Sequence, residues 1–239
     1  MTRRYALPLF LLLFGLASPG IAVDFPVDTE LEYQLKRSGI NLGIMERSIS
    51  RVDAMTGTEF RVDSVARPKG MARLLVRGET REVARFQLYE GTVRPLHYLY
   101  RQRTGDKKDY ELTFHWEERR VRERHSGDEW SLEAGAQDTL SSQFAIMHGL
   151  AQGERSFRFT LVDEDGPDDE YHYMVVGQEP VETPAGTFDA TKVRQMRDDP
   201  DSRHMVFWLA EELGYLPVQS EERRNGRRTM VLTLTRKPD

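Results

Sequence analysis

Hydrophobic and polar residues alternate one for one along much of this chain. Leu31, Tyr33 and Leu35 interleave with Glu30, Glu32, Gln34 and Lys36, and Tyr110, Leu112, Phe114 and Trp116 interleave with Glu111, Thr113, His115 and Glu117. The same rhythm returns at Phe157, Phe159 and Leu161, at Tyr171, Tyr173 and Val175, and at Met230, Leu232 and Leu234. A period of two puts the apolar side chains on one face of an extended strand and the polar ones on the other. Gly-containing turn signals punctuate the runs, among them Tyr89-Glu90-Gly91, Ser126-Gly127-Asp128 and Asn225-Gly226, the last suited to a tight hairpin. About ten strands linked mostly as successive hairpins are expected. The fold class is therefore mainly β: a curved antiparallel meander forming a barrel or half-barrel, so that the apolar face has something to bury against.

One stretch breaks the rhythm. Between Asp138 and Gly153 the apolar residues Leu140, Phe144, Met147 and Ala151 fall at helical steps, with Asp138 placed as an N-cap and Gly153 as a terminator. A single helix at residues 138–152 is expected to plug or flank the concave side of the sheet. A shorter helical candidate runs from Lys69 to Val76. It sets Met71, Leu74 and Leu75 among Arg67, Lys69, Arg73 and Arg77, a pattern that either covers an open end of the sheet or touches an anionic membrane surface through Met71, Leu74, Leu75 and Arg73.

The first 22 residues differ from the rest. Arg3 and Arg4 precede an apolar run from Tyr5 to Leu16 and a small-residue stretch ending at Ala22, the three-part layout of a secretory signal peptide. That run is too short to span a bilayer as a helix. Residues 23–239 are then expected to form a single β-rich domain, exported to the periplasm and lacking a membrane span. The chain has no cysteine, which excludes a disulfide framework, a thiolate metal site and a lipid attached to cysteine. Removing Arg3 and Arg4 with the leader takes the formal charge from −5 to −7, which argues against a nucleic-acid partner.

Candidate chemistry is sparse. No two of the six histidines have the spacing of a helix-borne zinc pair. The acidic run from Asp163 to Glu170 fails the ligand pattern of a helix-loop-helix calcium site at both ends and reads as a solvated hairpin loop. Ser141 and Ser142 lie about two helical turns from His148, beyond direct proton transfer. Between two extended runs, Thr183-Pro184-Ala185-Gly186 reads as a corner that sets strand register. The strand aromatics offer two readings: an ordinary β core, or the lining of a cavity wide enough for an apolar ligand. Under the second reading the lining residues are Tyr98, Tyr110, Phe114, Trp116, Tyr173 and Trp208.

Several segments together resemble a family of exported Gram-negative proteins that is a domain of unknown function. They are Phe25-Pro26-Val27, the Gly39 to Gly43 stretch, Arg94-Pro95-Leu96-His97-Tyr98, Asp138 to Ser142, Glu182 to Asp189, Phe207-Trp208-Leu209 and Leu216-Pro217-Val218. The resemblance covers nearly all of the chain after the leader, with Thr-Pro-Ala-Gly-Thr-Phe its most specific element. It implies a periplasmic β-rich domain and carries over no activity and no catalytic residues.

The leading expectation is a non-enzymatic periplasmic protein that binds an apolar or amphiphilic ligand such as a lipid, or an envelope protein, on the concave face of a curved sheet. An enzyme acting on cell-wall or carbohydrate substrates and a scaffold working through a sheet edge or the acidic loop are the alternatives. No cofactor and no metal are indicated.

Overall fold

The computed structural model describes residues 25–54, 57–70, 73, 78–103, 109–199 and 201–237. The expected leader at 1–22 and the apolar residues Met71, Leu74 and Leu75 lie outside the described residues.

Fourteen strands run in chain order as β1 (Thr29–Arg37), β2 (Ile40–Ala54), β3 (Gly57–Pro68), β4 (Thr80–Tyr89), β5 (Thr92–Gln102), β6 (Tyr110–His115), β7 (Arg120–Glu123) and β8 (Glu129–Ser131), then helix α1 (Ser141–Ala151). They continue as β9 (Ser156–Asp163), β10 (Gly166–Thr183), β11 (Gly186–Met196), β12 (His204–Ala210), β13 (Leu216–Arg224) and β14 (Arg227–Arg236). All belong to one antiparallel sheet ordered β8-β7-β6-β5-β4-β3-β2-β1-β14-β13-β12-β11-β10-β9. Two meanders thus run outward in opposite directions from a central pairing of the first and last strands, in which Tyr33 faces Leu234 and Leu35 faces Leu232. The Tyr33 hydroxyl reinforces that junction by donating to the Pro217 carbonyl at 2.9 Å.

The two sheet edges, β8 and β9, are neighbours in sequence, so the connection that carries α1 also spans the gap between them. The sheet curls into a nearly closed barrel whose seam is stitched at two places. Gln137 forms a parallel bridge with Leu161: its amide donates to the Thr160 carbonyl, and its own carbonyl accepts from Val162, both at 2.9 Å. On β8, the Trp130 ring lies over the backbone of Gly166 on β10, so close that a β-carbon there would sit 2.7 Å from the indole.

Cross-strand register carries the alternation around the barrel. Leu31, Arg47, Ser64, Glu82, Tyr100 and Tyr110 stand opposite one another on six successive strands. To one side of this row the interior is aromatic: Phe25, Phe60, Phe86 and Phe144 pack edge-on, stacked or tilted with centroids 4.8 to 5.7 Å apart. Phe144 comes from α1, whose Ser141, Ser142, Phe144, Ile146, Met147, His148, Gly149 and Leu150 are all buried. The helix is enclosed on more than the one face that apolar spacing predicts, because it fills the barrel rather than lying on it.

The helix termini follow the sequence. Oδ1 of Asp138 accepts from the amides of Leu140 and Ser141 at 2.8 Å, while the Asp138 amide donates to Ser141 Oγ at 2.9 Å, a reciprocal cap. At the other end Gly153 takes φ 84°, its amide donates to the Leu150 carbonyl and that of Glu154 to the Gly149 carbonyl, a Schellman closure.

The corner at Thr183 joins β10 to β11 and holds its shape through the Thr183 hydroxyl, which donates to the Gly186 carbonyl at 2.9 Å and accepts from the Ala185 amide at 3.2 Å. Pairing then runs from Thr183–Gly186 to His172–Met196, so the corner sets the register of two long strands. In the acidic run, β9 ends at Asp163 and β10 begins at Gly166, leaving a hairpin tip at Glu164 and Asp165. There Arg158 pairs with Glu170 at 2.6 Å.

A candidate ligand cleft at the barrel seam

The barrel interior is filled, and this determines where a ligand can sit. Of the expected lining residues, Tyr98, Tyr110, Phe114 and Tyr173 are buried in the continuous core. The Tyr98 hydroxyl donates to Glu82 at 2.6 Å; burial, and then the Glu82 charge, raise its pKa well above the usual phenol value. Tyr110 stacks on Tyr100 at 5.4 Å, and Tyr173 on Phe159 at 5.4 Å. Trp208 is also buried, but it belongs to the sheet face opposite Phe207. There its indole N–H donates to Glu179 at 2.6 Å and Lys192 Nζ sits 4.9 Å from the ring centroid. Arg73 is exposed, with Nε donating to the Pro68 carbonyl at 3.3 Å.

Buried polar groups thread this core. Arg47 Nε donates to Ser64 Oγ at 2.9 Å and Nη1 to Gln143 Oε1 at 3.0 Å, tying β2 to the helix. Asp138 is 0 % exposed; burial is the main cause that pushes its carboxyl up to about 7, against the opposing pull of its backbone donors, and Oδ2 has no hydrogen-bond partner. At the turn after β7, burial alone would raise Glu123, but the backbone amides of Ser126, Glu111 and His125 together outweigh it and bring the carboxyl down to about 2.

Trp116 is different: half-buried, it lines a cleft of about 690 Å³ where the seam meets the end of the barrel. The β4–β5 turn (Glu90 to Arg94), the β6–β7 turn (Trp116, Arg119), the strip from Leu132 to Gln137, the C-terminal half of α1 (Ala145, His148, Gly149) and the start of β9 (Ser156 to Phe159) form its walls. Gly149 is required here, since a β-carbon would lie 2.7 Å from the Phe157 ring.

Two polar side chains of the cleft are anchored to one short backbone stretch, and a third, Arg94, belongs to it. Gln137 Nε2 donates to the Val93 carbonyl at 2.8 Å, and His148 Nε2 lies 2.9 Å from the Gly91 carbonyl, fixing the tautomer with a proton on Nε2. Gln137 is 3 % and His148 9 % exposed, yet Gln137 Oε1 and His148 Nδ1 have no hydrogen-bond partner in the structure. The Arg94 guanidinium lies 3.8 Å from the Tyr89 ring centroid and 5.2 Å from that of Trp116, which is itself held by its indole N–H on the Pro95 carbonyl at 2.7 Å. Among the described residues no carboxylate pairs with Arg94, whereas Arg119 pairs with Glu133 and Arg158 with Glu170.

The spacing of Ser141 and Ser142 from His148 holds in the fold. The serine hydroxyls bond to the Asp138 and Thr139 carbonyls while His148 bonds to Gly91, so no proton relay joins them. Among the described residues no group of three or more histidine, aspartate or glutamate side chains is placed to hold a metal ion. Sequence reasoning picks out Trp116 but not Arg94, Gln137 or His148 as cleft residues. The available signal for Arg94 is its place between aromatic Tyr89 and the Pro95-Leu96-His97-Tyr98 run.

A family model described as a protein of unknown function, DUF3108, matches residues 32–233. A search of the curated proteins found no match. Among solved structures, a β-barrel-like protein of the domain of unknown function DUF1849 from Brucella abortus is similar at TM-score 0.51 and 14 % identity, over 90 % of this chain and 98 % of that one. A candidate lipoprotein from Parabacteroides distasonis is similar at TM-score 0.41 and 13 % identity, over 89 % and 97 % of the two chains. A candidate exported protein with a YmcC-like fold from Bacteroides fragilis is similar at TM-score 0.39 and 13 % identity, over 90 % and 98 %.

Proposed function

We propose, from the premise that the chain belongs to the DUF3108 family, that this protein is a non-enzymatic periplasmic binder of an amphiphilic ligand, held in the seam cleft rather than in the barrel centre. The observation that carries the reading is the cleft itself: about 690 Å³, walled by Trp116, Leu132, Phe157 and Phe159, with a few fixed polar groups. That size and lining suit a small-molecule site. The signal-like pattern of residues 1–22 supports a periplasmic location. The packed core, in which α1 occupies the space an enclosed ligand would need, favours the seam over the concave face.

Native mass spectrometry of protein released from the periplasm of the producing cells tests this. The expected result is a bound lipid-sized mass that is lost after delipidation and from Trp116→Ala. Overturning it requires a ligand-free protein that also fails to take up dodecyl-chain amphiphiles in solution. Crosslinking in the same fraction separates this reading from a scaffold, which would give protein adducts at a sheet edge or the acidic hairpin.

A further inference from the structure

One charged group of the cleft specifies the head of the ligand, an inference that rests on the binding reading above. Arg94 lies over the Tyr89 ring and within 5.2 Å of the Trp116 centroid, and has no acceptor among the described residues, so its N–H donors remain available. A guanidinium fixed in this way is organised for a carboxylate or phosphate, because little rotamer freedom is lost on binding. Glu90 and Glu154 also line the cleft, and neither is within ion-pair distance of Arg94. Deeper in the same walls, Gln137 Oε1 and His148 Nδ1 lack partners, but both atoms are enclosed by protein and out of reach of a guest in the cleft, so the charge of Arg94 is the feature that selects the head.

The geometry points to an amphiphile with an anionic head, a carboxylate or a phosphate, paired with Arg94, and with its apolar chain against Trp116, Phe157 and Phe159.

Two probes sharing a dodecyl chain separate the head from the chain: dodecyl phosphate and dodecyl glucoside, each titrated below its micelle threshold and followed by tryptophan fluorescence and calorimetry. Dodecyl phosphate is expected to bind about tenfold more tightly than the glucoside, the gain of one charge-assisted contact. Arg94→Gln, with melting temperature monitored to show that the fold persists, is expected to remove that preference while leaving the glucoside unchanged. Equal binding of the two probes, or an Arg94→Gln variant that keeps the preference, overturns the headgroup assignment and leaves the cleft reading standing. Failure of both probes to bind overturns the cleft reading along with it.

Discussion

The barrel's interior and its seam are built from the same kinds of side chain and behave as opposites. Inside, Phe25, Phe60, Phe86 and Phe144 close on one another with the helix as the filler. At the seam, Trp116, Phe157 and Phe159 are spread around a cleft because the two sheet edges meet through Gln137 and Trp130 rather than through a ladder. Aromatic content therefore does not separate core from site here; strand closure does. Where the ladder is complete, apolar surface finds apolar surface; where it is interrupted, Phe157 and Phe159 still bury and the half-buried Trp116 ring keeps a face open.

The interior should be the more costly to disturb. Phe86→Ala removes a fully buried ring from the centre of the cluster and is expected to cost about 3–5 kcal/mol in chemical denaturation. If the loss were below 1 kcal/mol, the interior would not be packed as described. Gly149→Val acts where the two regions touch. Its side chain meets the Phe157 ring and the Glu154 carboxylate, so a loss of about 1–3 kcal/mol is expected together with loss of amphiphile binding, seen by thermal melting and calorimetry.

Protonation sharpens the contrast further. The Asp138 carboxyl has a folded pKa of about 7, above its unfolded value near 3.9, so its contribution is fully present below about pH 4 and is lost as pH rises through 7. Glu123 runs the other way: with a folded pKa of about 2, its contribution is present above its unfolded value near 4.3 and lost as pH falls through 2. Asp138→Asn retains a cap acceptor without the titrating charge. It is expected to flatten the decline in stability between about pH 4 and pH 7, measured by denaturant midpoints across pH. An unchanged decline would mean that Asp138 is not its source. The smallest effect on folding belongs to Trp116→Ala. At a half-buried position lining the cleft it should cost about 1 kcal/mol or less in stability yet weaken dodecyl-probe binding severalfold, which calorimetry on the melted and native protein would separate.

Much of the fold was legible because its rules are local. Alternation marked the inner face at Leu31, Tyr33, Leu112 and Phe114, and Asp138 and Gly153 marked the helix ends by the chemistry of capping. The corner at Thr183 was equally readable, since its hydroxyl bonds within three residues. The pairing of β1 with β14 was not, because strands at opposite ends of the chain carry no local sign of their partner. Nor were the three- and four-residue strands β8 and β7, which are too short to display a period. The side that Trp208 takes was not legible for a related reason: Val206 to Ala210 is buried on both faces, so alternation disappears there and the side a residue takes cannot be counted off. The cleft draws on five separated segments, and the roles of Arg94, Gln137 and His148 depend on carbonyls and rings that meet only after closure.

The hoop of the cylinder is thinnest at Gln137. Its contact with β9 is a single-residue clasp, so parting it there breaks two backbone bonds instead of a whole ladder, with the Trp130 ring on Gly166 as the second fastening. Amide exchange at Val162 should accordingly outpace that in the middle of β10 and β11, the staves separating first where the fewest bonds hold them.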